Sequence, residues 1–195
     1  MKLEDLANKL PPTRPPTTDK HTFHSYLPLY EELLSPIRQT AKSILEIGVH
    51  RGGSIKLWYD YFTNATIYGC DIINRIDINL KELENNDRVS LNQSENAYSK
   101  DFVINNFLDK NIYFDFILDD GPHTLESQKD FITLYSPLLK NEGILIIEDV
   151  QSISWIDELK EITPENLKQY IKIYDLRENK GRYDDIVFTI DKIIR

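Results

Sequence analysis

The stretch Ser43-Ile-Leu-Glu-Ile-Gly-Val-His-Arg-Gly-Gly-Ser54 decides how the rest of the chain is interpreted. A short apolar run is followed by three glycines and then by a segment compatible with a helix. Glycine lets the backbone adopt conformations closed to other residues and approach a ligand closely. The pattern therefore predicts a strand, a tight loop and a helix, the unit on which nucleotide-type cofactors bind. The spacing is not the dinucleotide G-x-G-x-x-G, because Val49 and His50 follow Gly48.

The next two predicted strands end in polar residues suited to a nucleoside. Ile67-Tyr-Gly-Cys-Asp-Ile72 carries Asp71, and an acid at this position can accept hydrogen bonds from both ribose hydroxyls. Asn92 and Gln93 follow the third strand, where their amides are candidates for contacting an adenine edge. A solvated loop is the equally weighted alternative for this pair.

Composition narrows the class of protein. A chain of 195 residues is long enough for one domain with a substantial core. The net charge of −9 and the lack of any Lys/Arg cluster argue against a nucleic-acid partner. The single cysteine, Cys70, excludes an internal disulfide and suits a reducing compartment. With no signal peptide and no apolar run of ~20 residues, we expect a soluble cytoplasmic protein without a membrane partner.

The chain divides into two parts. Residues 1–20 are predicted to be a flexible arm, because Pro11, Pro12, Pro15 and Pro16 interrupt any helix. Residues 21–195 are predicted to form a single domain, beginning with a helix from about Tyr26 to Thr40.

Strands and helices are predicted to alternate from residue 43 onward. The strand candidates are Ile44–Gly48, Ile67–Ile72, Val89–Leu91, Phe114–Asp119 and Ile144–Glu148. The helix candidates lie near Ser54–Phe62, Asp77–Glu84, Tyr98–Leu108 and Leu125–Leu139. Such alternation implies right-handed crossovers and a parallel sheet. At the C-terminus, Tyr170–Leu176 and Tyr183–Ile190 are separated by a short polar connection and must pair antiparallel.

These elements predict an α/β fold of a particular kind. It is a three-layer, Rossmann-like sandwich with a mostly parallel seven-stranded sheet and an antiparallel C-terminal hairpin, the architecture of class I methyltransferases. The glycine loop resembles motif I of the class I methyltransferases that use S-adenosylmethionine (SAM), E-x-G-x-x-x-G-x-S. This resemblance implies that Glu46, Gly48 and Gly52 face the methionine part of SAM. Ser54 is then a candidate hydrogen-bond donor to the SAM carboxylate.

Acidic residues follow the fourth and fifth strands. Ligands gather at the carboxyl ends of strands in open α/β sheets, so we expect Asp120, Glu148 and Asp149 to form an oxygen-rich site for a hard divalent cation such as Mg²⁺. His123 lies three residues beyond Asp120 and, with an ordinary pKa near ~6.5, is a candidate general base. Asp119 is expected to brace the turn or contact the cofactor. The alternative for these acids is capping of helix N-termini.

Two motifs together resemble a known family. Asp119-Asp-Gly-Pro-His123 and Ile147-Glu-Asp-Val150 are similar to the motifs of the metal-dependent macrocin/mycinamicin-type sugar O-methyltransferases. Thr18–Tyr26, Asp175–Arg177 and Arg182–Asp185 are similar to that family as well, so the resemblance covers about residues 18–192.

The resemblance implies roles for individual residues. The three acids would ligate Mg²⁺, and His123 would act as the base. A lid over SAM would include Lys20, His24, Tyr26 and Tyr30, although plain packing of an amphipathic helix is the alternative for the two tyrosines. Two departures from the family are Pro122, in place of a small residue, and the lack of the extra N-terminal domain of larger members. The substrate cover would then be short, and a neighbouring subunit of a homo-oligomer is a candidate for completing it.

The predicted function is SAM- and Mg²⁺-dependent O-methylation of a sugar hydroxyl that is free, nucleotide-linked or attached to a glycan. Three alternatives are a methyltransferase for catechol-like phenols, an NAD-dependent oxidoreductase and a non-catalytic SAM-binding module.

Overall fold

A computed structural model describes residues 1–194, which contain one seven-stranded sheet in the order β3-β2-β1-β4-β5-β7-β6. The strands are β1 (Ser43–Ile47), β2 (Thr66–Asp71), β3 (Val89–Gln93), β4 (Phe114–Asp119), β5 (Leu139–Ile147), β6 (Ile171–Asp175) and β7 (Ile186–Asp191). The first five pair in parallel, and β7 pairs antiparallel with both β5 and β6. The predicted fold class is therefore confirmed.

The helices lie on both faces of this sheet. They are α1 (Leu3–Ala7), α2 (Tyr26–Leu34), α3 (Gly53–Tyr61), α4 (Lys100–Val103), α5 (Leu125–Tyr135), α6 (Ile156–Ile162) and α7 (Arg177–Lys180). Short 3₁₀ helices cover Ser35–Ile37, Ile78–Asn85, Ser136–Leu138, Ile153–Trp155 and Glu165–Tyr170, and a π-helical turn covers Ile104–Leu108.

The central strands are buried on both faces, as continuous apolar runs predict. Phe116 of β4 packs with Trp58 and the α2 side of the molecule, whereas Phe188 of β7 belongs to the opposite cluster with Phe131. This two-sided core fixes the sheet, so the polar residues that follow each strand have a rigid base.

Several predicted element boundaries are corrected. The helix expected to reach Thr40 ends at Leu34 and tightens into a 3₁₀ turn, since Pro36 removes a backbone donor. The segment expected as a helix over Asp77–Glu84 is a 3₁₀ helix instead. β5 begins at Leu139 rather than Ile144, because Leu139 pairs with Phe114 across an irregularity in the register.

Residues 1–20 are packed rather than forming a free arm, which corrects that prediction. Leu3, Leu6 and Ala7 of α1 are buried against α2 and α3. The Leu3 amide donates to Glu31 Oε2 at 2.7 Å. The prolines do prevent a long helix, but burial of apolar side chains holds the segment in place.

No helix among residues 1–194 combines the length and apolarity needed to cross a membrane.

Candidate active site

A cavity of about 430 Å³ opens at the carboxyl ends of the central strands. Its walls come from the loops after β1, β2, β3 and β4, together with Thr17, Thr18 and Asp19 of the N-terminal segment. Of the residues predicted to bind the cofactor, Gly48, Ser54 and Asp71 line it. The cavity is within the usual size range of small-molecule sites.

The glycine loop brings separate backbone segments together around this cavity. Gly48 has a φ of +94°, and a Cβ there would lie 1.8 Å from the carbonyl oxygen of Asp120. The loop after β1 therefore touches the loop that carries the acidic motif. Gly52 has a φ of +86° but faces Ile76 outside the cavity, so its predicted cofactor contact is replaced by a role in starting α3.

Asp71 organises the loop and faces the cavity. Its Oδ2 accepts from the amides of Val49 and His50 at 2.9 and 2.7 Å, and its Oδ1 accepts from the Ile73 amide at 2.8 Å. A carboxylate offers about four acceptor positions, so a ligand hydroxyl can still be bound.

Asn92 and Gln93 end β3 as predicted but do not line the cavity, so their contact with an adenine edge stays a prediction. The backbone turns at Ser94, whose φ is +67°, and the chain then returns toward Asp71, as the 3.3 Å bond from the Glu95 amide to the Asp71 carbonyl shows. The wall at this place consists of residues 95–98.

Lys20 and Glu46 lie beneath the cavity and are not among the residues that line it, so their predicted contact with the cofactor stays a prediction. The buried Lys20 Nζ is 2.6 Å from Asp120 Oδ2, 2.5 Å from Glu148 Oε1 and 3.4 Å from Glu46 Oε1. Glu46 Oε2 also accepts from the Trp58 indole at 3.2 Å. Buried carboxylates need such partners, because removing a charge from water is costly.

Two buried tyrosines of α2 hold the acids that follow β5. The Tyr30 hydroxyl donates to Glu148 Oε2 and the Tyr26 hydroxyl donates to Asp149 Oδ1. Tyr26 therefore contacts a predicted metal ligand and does not line the cavity, and its assignment to the cofactor stays a prediction. Gln128 of α5 supports the same backbone by donating to the carbonyls of Glu148 and Asp149 at 3.3 and 3.4 Å.

His24, which the resemblance assigns to the lid, joins this network together with Asp185, which is not among the predicted site residues. His24 Nδ1 lies 2.6 Å from Asp185 Oδ1 and 3.3 Å from Asp149 Oδ1. The signal that could have found them was the similarity of Thr18–Tyr26 and Arg182–Asp185 to the family motifs. Asp19, which lines the cavity and belongs to the same segment as His24, was not predicted either.

His123 faces two carboxylates at the edge of the cavity. Its Nε2 lies 3.6 Å from Asp120 Oδ1 and 3.5 Å from Asp149 Oδ2. Both His123 and Asp149 have a left-handed backbone, with φ of +53° and +54°. Such conformations are costly for residues other than glycine and cluster at functional sites.

Asp119 points away from this group. It is buried and accepts a hydrogen bond from the Tyr98 hydroxyl. Burial raises the pKa of Asp119 to about 7. Asp119 does not line the cavity but holds Tyr98, a residue of the cavity wall, and its predicted cofactor contact stays a prediction.

The acidic cluster carries excess negative charge. Burial raises the pKa of Glu46 to about 7, although Lys20 opposes the shift. Burial and the nearby Asp120 raise the pKa of Glu148 and Asp149 as well. Burial alone would lower the pKa of Lys20, but the surrounding carboxylates raise it well above its usual value. An added cation would relieve this repulsion.

A divalent cation fits this donor set. Ligand atoms of Asp120, His123 and Asp149 lie within 4.8 Å of one another, and carboxylate oxygens are the ligands that Mg²⁺ prefers. Glu148 differs from the other two predicted ligands, since Lys20 and Tyr30 engage its two oxygens.

Comparisons with known proteins bear on this site. No protein-family model matches the chain. The 8-demethyl-8-alpha-L-rhamnosyl tetracenomycin-C 2'-O-methyltransferase of Streptomyces olivaceus is 30% identical over 146 residues, 71% of this chain and 36% of that protein. The mycinamicin VI 2''-O-methyltransferase of Micromonospora griseorubida is 25% identical over 151 residues, 71% of this chain and 35% of that protein. The chain is a homologue of the macrocin/mycinamicin-type sugar O-methyltransferases.

A solved structure from the same group shares the fold. The MycE methyltransferase of the mycinamycin biosynthetic pathway, in complex with Mg, SAH and mycinamycin VI, matches with a TM-score of 0.71 at 20% identity. The match covers 97% of this chain and 54% of the MycE chain. The matched segments span about a third of the length of the curated sugar O-methyltransferases.

Proposed function

We propose that the protein is a SAM- and Mg²⁺-dependent O-methyltransferase that acts on a sugar hydroxyl. The observation that carries the proposal is the placement of His123, with Asp120 and Asp149, at the edge of the cavity that also contains Asp71 and Gly48. A base and two carboxylates thus adjoin a site suited to a nucleoside.

The donor would occupy the cavity between the loops after β1, β2 and β3. Asp71 would accept hydrogen bonds from the ribose hydroxyls, and Ser54 is available to the methionine carboxylate at the start of α3. Gly48 lets the loops after β1 and β4 lie in contact beside the donor. When bound, SAM supplies an activated methyl group, so the protein mainly has to align the two reactants.

Asp120 and Asp149 would hold the metal, with Glu148 as the third carboxylate of the predicted set. When bound, Mg²⁺ lowers the pKa of an acceptor hydroxyl. His123 Nε2 would take the hydroxyl proton while the acceptor oxygen bonds to the methyl carbon and the carbon–sulfur bond breaks. The products are the methyl ether, S-adenosylhomocysteine (SAH) and a proton held on His123.

The acceptor class is inferred from the relatives. The names of the matched relatives specify methylation of rhamnosyl and olivosyl groups and of mycinamicin VI, which favours a sugar over a catechol-like phenol. The acidic chain, with a net charge of −9, argues against a nucleic-acid acceptor. A reducing, intracellular compartment is in keeping with the single buried cysteine.

The decisive experiment measures donor binding and turnover separately. We expect SAH to bind by calorimetry and a panel of rhamnosides and related glycosides to be methylated only with Mg²⁺ present. His123→Ala should retain SAH binding but lose methyl transfer, whereas His21→Ala, outside the cavity, serves as the matched control. Absence of SAH binding, or full activity of His123→Ala in EDTA, would contradict the proposal.

A further inference from the structure

The ammonium of Lys20 lies in the acidic cluster at a position that also suits a metal ion. It contacts Asp120 Oδ2 and Glu148 Oε1 at 2.6 and 2.5 Å, with Glu46 Oε1 at 3.4 Å. The Lys20 side chain is fully buried, so water does not screen these contacts. Lys20 therefore neutralises two of the three carboxylates that are predicted to hold a divalent cation.

Each oxygen of Glu148 already has one partner in this arrangement. Lys20 engages Oε1, the Tyr30 hydroxyl donates to Oε2, and the residue is only 1% exposed. By contrast, Asp149 directs Oδ2 toward His123. An ion held by all three acids of the predicted metal set would share Glu148 with the Lys20 ammonium, which lies 2.5 Å from Oε1.

We propose that Lys20 is an internal competitor of the metal ion, and that binding of the metal to the full carboxylate set requires its ammonium to leave Glu148. The inference rests on the metal role proposed above. Two cations that share one pair of carboxylates repel each other strongly at low dielectric. Without Lys20, Glu148 would be a buried charge with no cationic partner, which the metal would then neutralise.

The test measures Mn²⁺ binding by electron paramagnetic resonance in four proteins: the wild type, Lys20→Met, Glu148→Gln and the double variant. We expect Lys20→Met to bind Mn²⁺ about tenfold more tightly or better, from the loss of one close positive charge. The gain from removing Lys20 should be clearly smaller in the Glu148→Gln background, because part of it depends on the freed Glu148 carboxylate and only the contact with Asp120 remains. Lys56→Met, which removes an ammonium paired with Asp60, is the matched control.

A measurement on the wild type keeps the proposal testable if Lys20→Met fails to fold. In a ¹⁵N-lysine NMR spectrum, the Lys20 Nζ resonance should shift on saturation with Mg²⁺. An unchanged Lys20 resonance, or a Lys20→Met variant that binds Mn²⁺ no more tightly, overturns the proposal. A gain that persists undiminished in the double variant overturns it as well.

The same measurements distinguish failure of this inference from failure of the proposed function. If none of the four proteins binds Mn²⁺, the metal role fails and this inference fails with it. SAH binding, measured on the same samples, tests the donor site independently.

Discussion

Asp149 Oδ2 lies 3.5 Å from His123 Nε2, and both residues have a left-handed backbone. The other carboxylate oxygen, Oδ1, accepts the hydrogen of the Tyr26 hydroxyl and lies 3.3 Å from His24 Nδ1. The orientation of Asp149 is thus fixed from inside the protein, and only one oxygen faces the candidate base.

Removing the Tyr26 hydroxyl should leave the Asp149 carboxylate less firmly oriented. Tyr26→Phe deletes one hydrogen bond to a buried carboxylate, a loss of about 1–3 kcal/mol. We expect Mn²⁺ binding to weaken about tenfold while SAH binding stays unchanged. The matched control is Tyr113→Phe, at an exposed tyrosine. Unchanged Mn²⁺ affinity would show that His24 alone orients Asp149.

Gly48 should tolerate no side chain. Gly48→Ala would place a Cβ 1.8 Å from the Asp120 carbonyl oxygen at a φ of +94°. We expect a loss of at least ~2 kcal/mol in the free energy of unfolding, measured with urea, since steric overlap adds to the backbone strain.

Gly181→Ala separates these two causes. Gly181 also has a positive φ, of +70°, but nothing lies within 4 Å of a Cβ added there. The Gly181→Ala variant should lose only about 1 kcal/mol in the free energy of unfolding, from backbone strain. Equal losses in the two variants would mean that contact with Asp120 contributes nothing.

Asp71→Asn should weaken the donor site. The change removes the charge of the carboxylate that accepts hydrogen bonds from three backbone amides and, in the proposed function, from the ribose hydroxyls. Because hydrogen bonds to charged groups contribute about 1.5–3 kcal/mol, we expect SAH affinity to fall roughly ten- to hundredfold. Calorimetry would measure this, with the exposed Asp87→Asn as control. Equal SAH affinity in both variants would remove Asp71 from the donor site.

Cys70 should be inert in the folded protein. Burial raises the pKa of its thiol to about 12, so at pH 8 only about one molecule in ten thousand carries the reactive thiolate. A coloured disulfide reagent should react far more slowly with native than with urea-unfolded protein. The thiol is neutral below its unfolded pKa, so its contribution to stability is lost as pH rises toward 12. Equally fast reaction of native protein would contradict this.

Local patterns predict the strands well and the polar contacts poorly. Buried apolar runs such as Ile144–Ile147 and the glycine loop are recognisable over a few residues, and the motif at Asp119–His123 marks the right edge of the sheet. The partners of Lys20 are 100 and 128 residues away along the chain. No periodicity encodes such pairs, so the contacts of Lys20 with the acids could not be predicted, and only the family resemblance suggested a role for it.

The position of Asn92 and Gln93 outside the cavity wall has a different cause. Their position after β3 is predicted correctly, but the turn at Ser94 carries the following residues to the cavity instead. A non-glycine residue with positive φ gives little sign of itself in a sequence, because serine occupies that region only occasionally.

Residues 17–20 connect features that belong to different layers of the molecule. The Thr17 carbonyl accepts from the Gly53 amide at 3.2 Å, Thr18 and Asp19 line the cavity, and Lys20 reaches the acids. A fragment cut to start at residue 21 would retain every strand of the sheet but lose one wall of the cavity and the buried counter-ion. For anyone trimming this chain for crystallisation or fusion, the proline-rich beginning is therefore a component of the site and has to be kept.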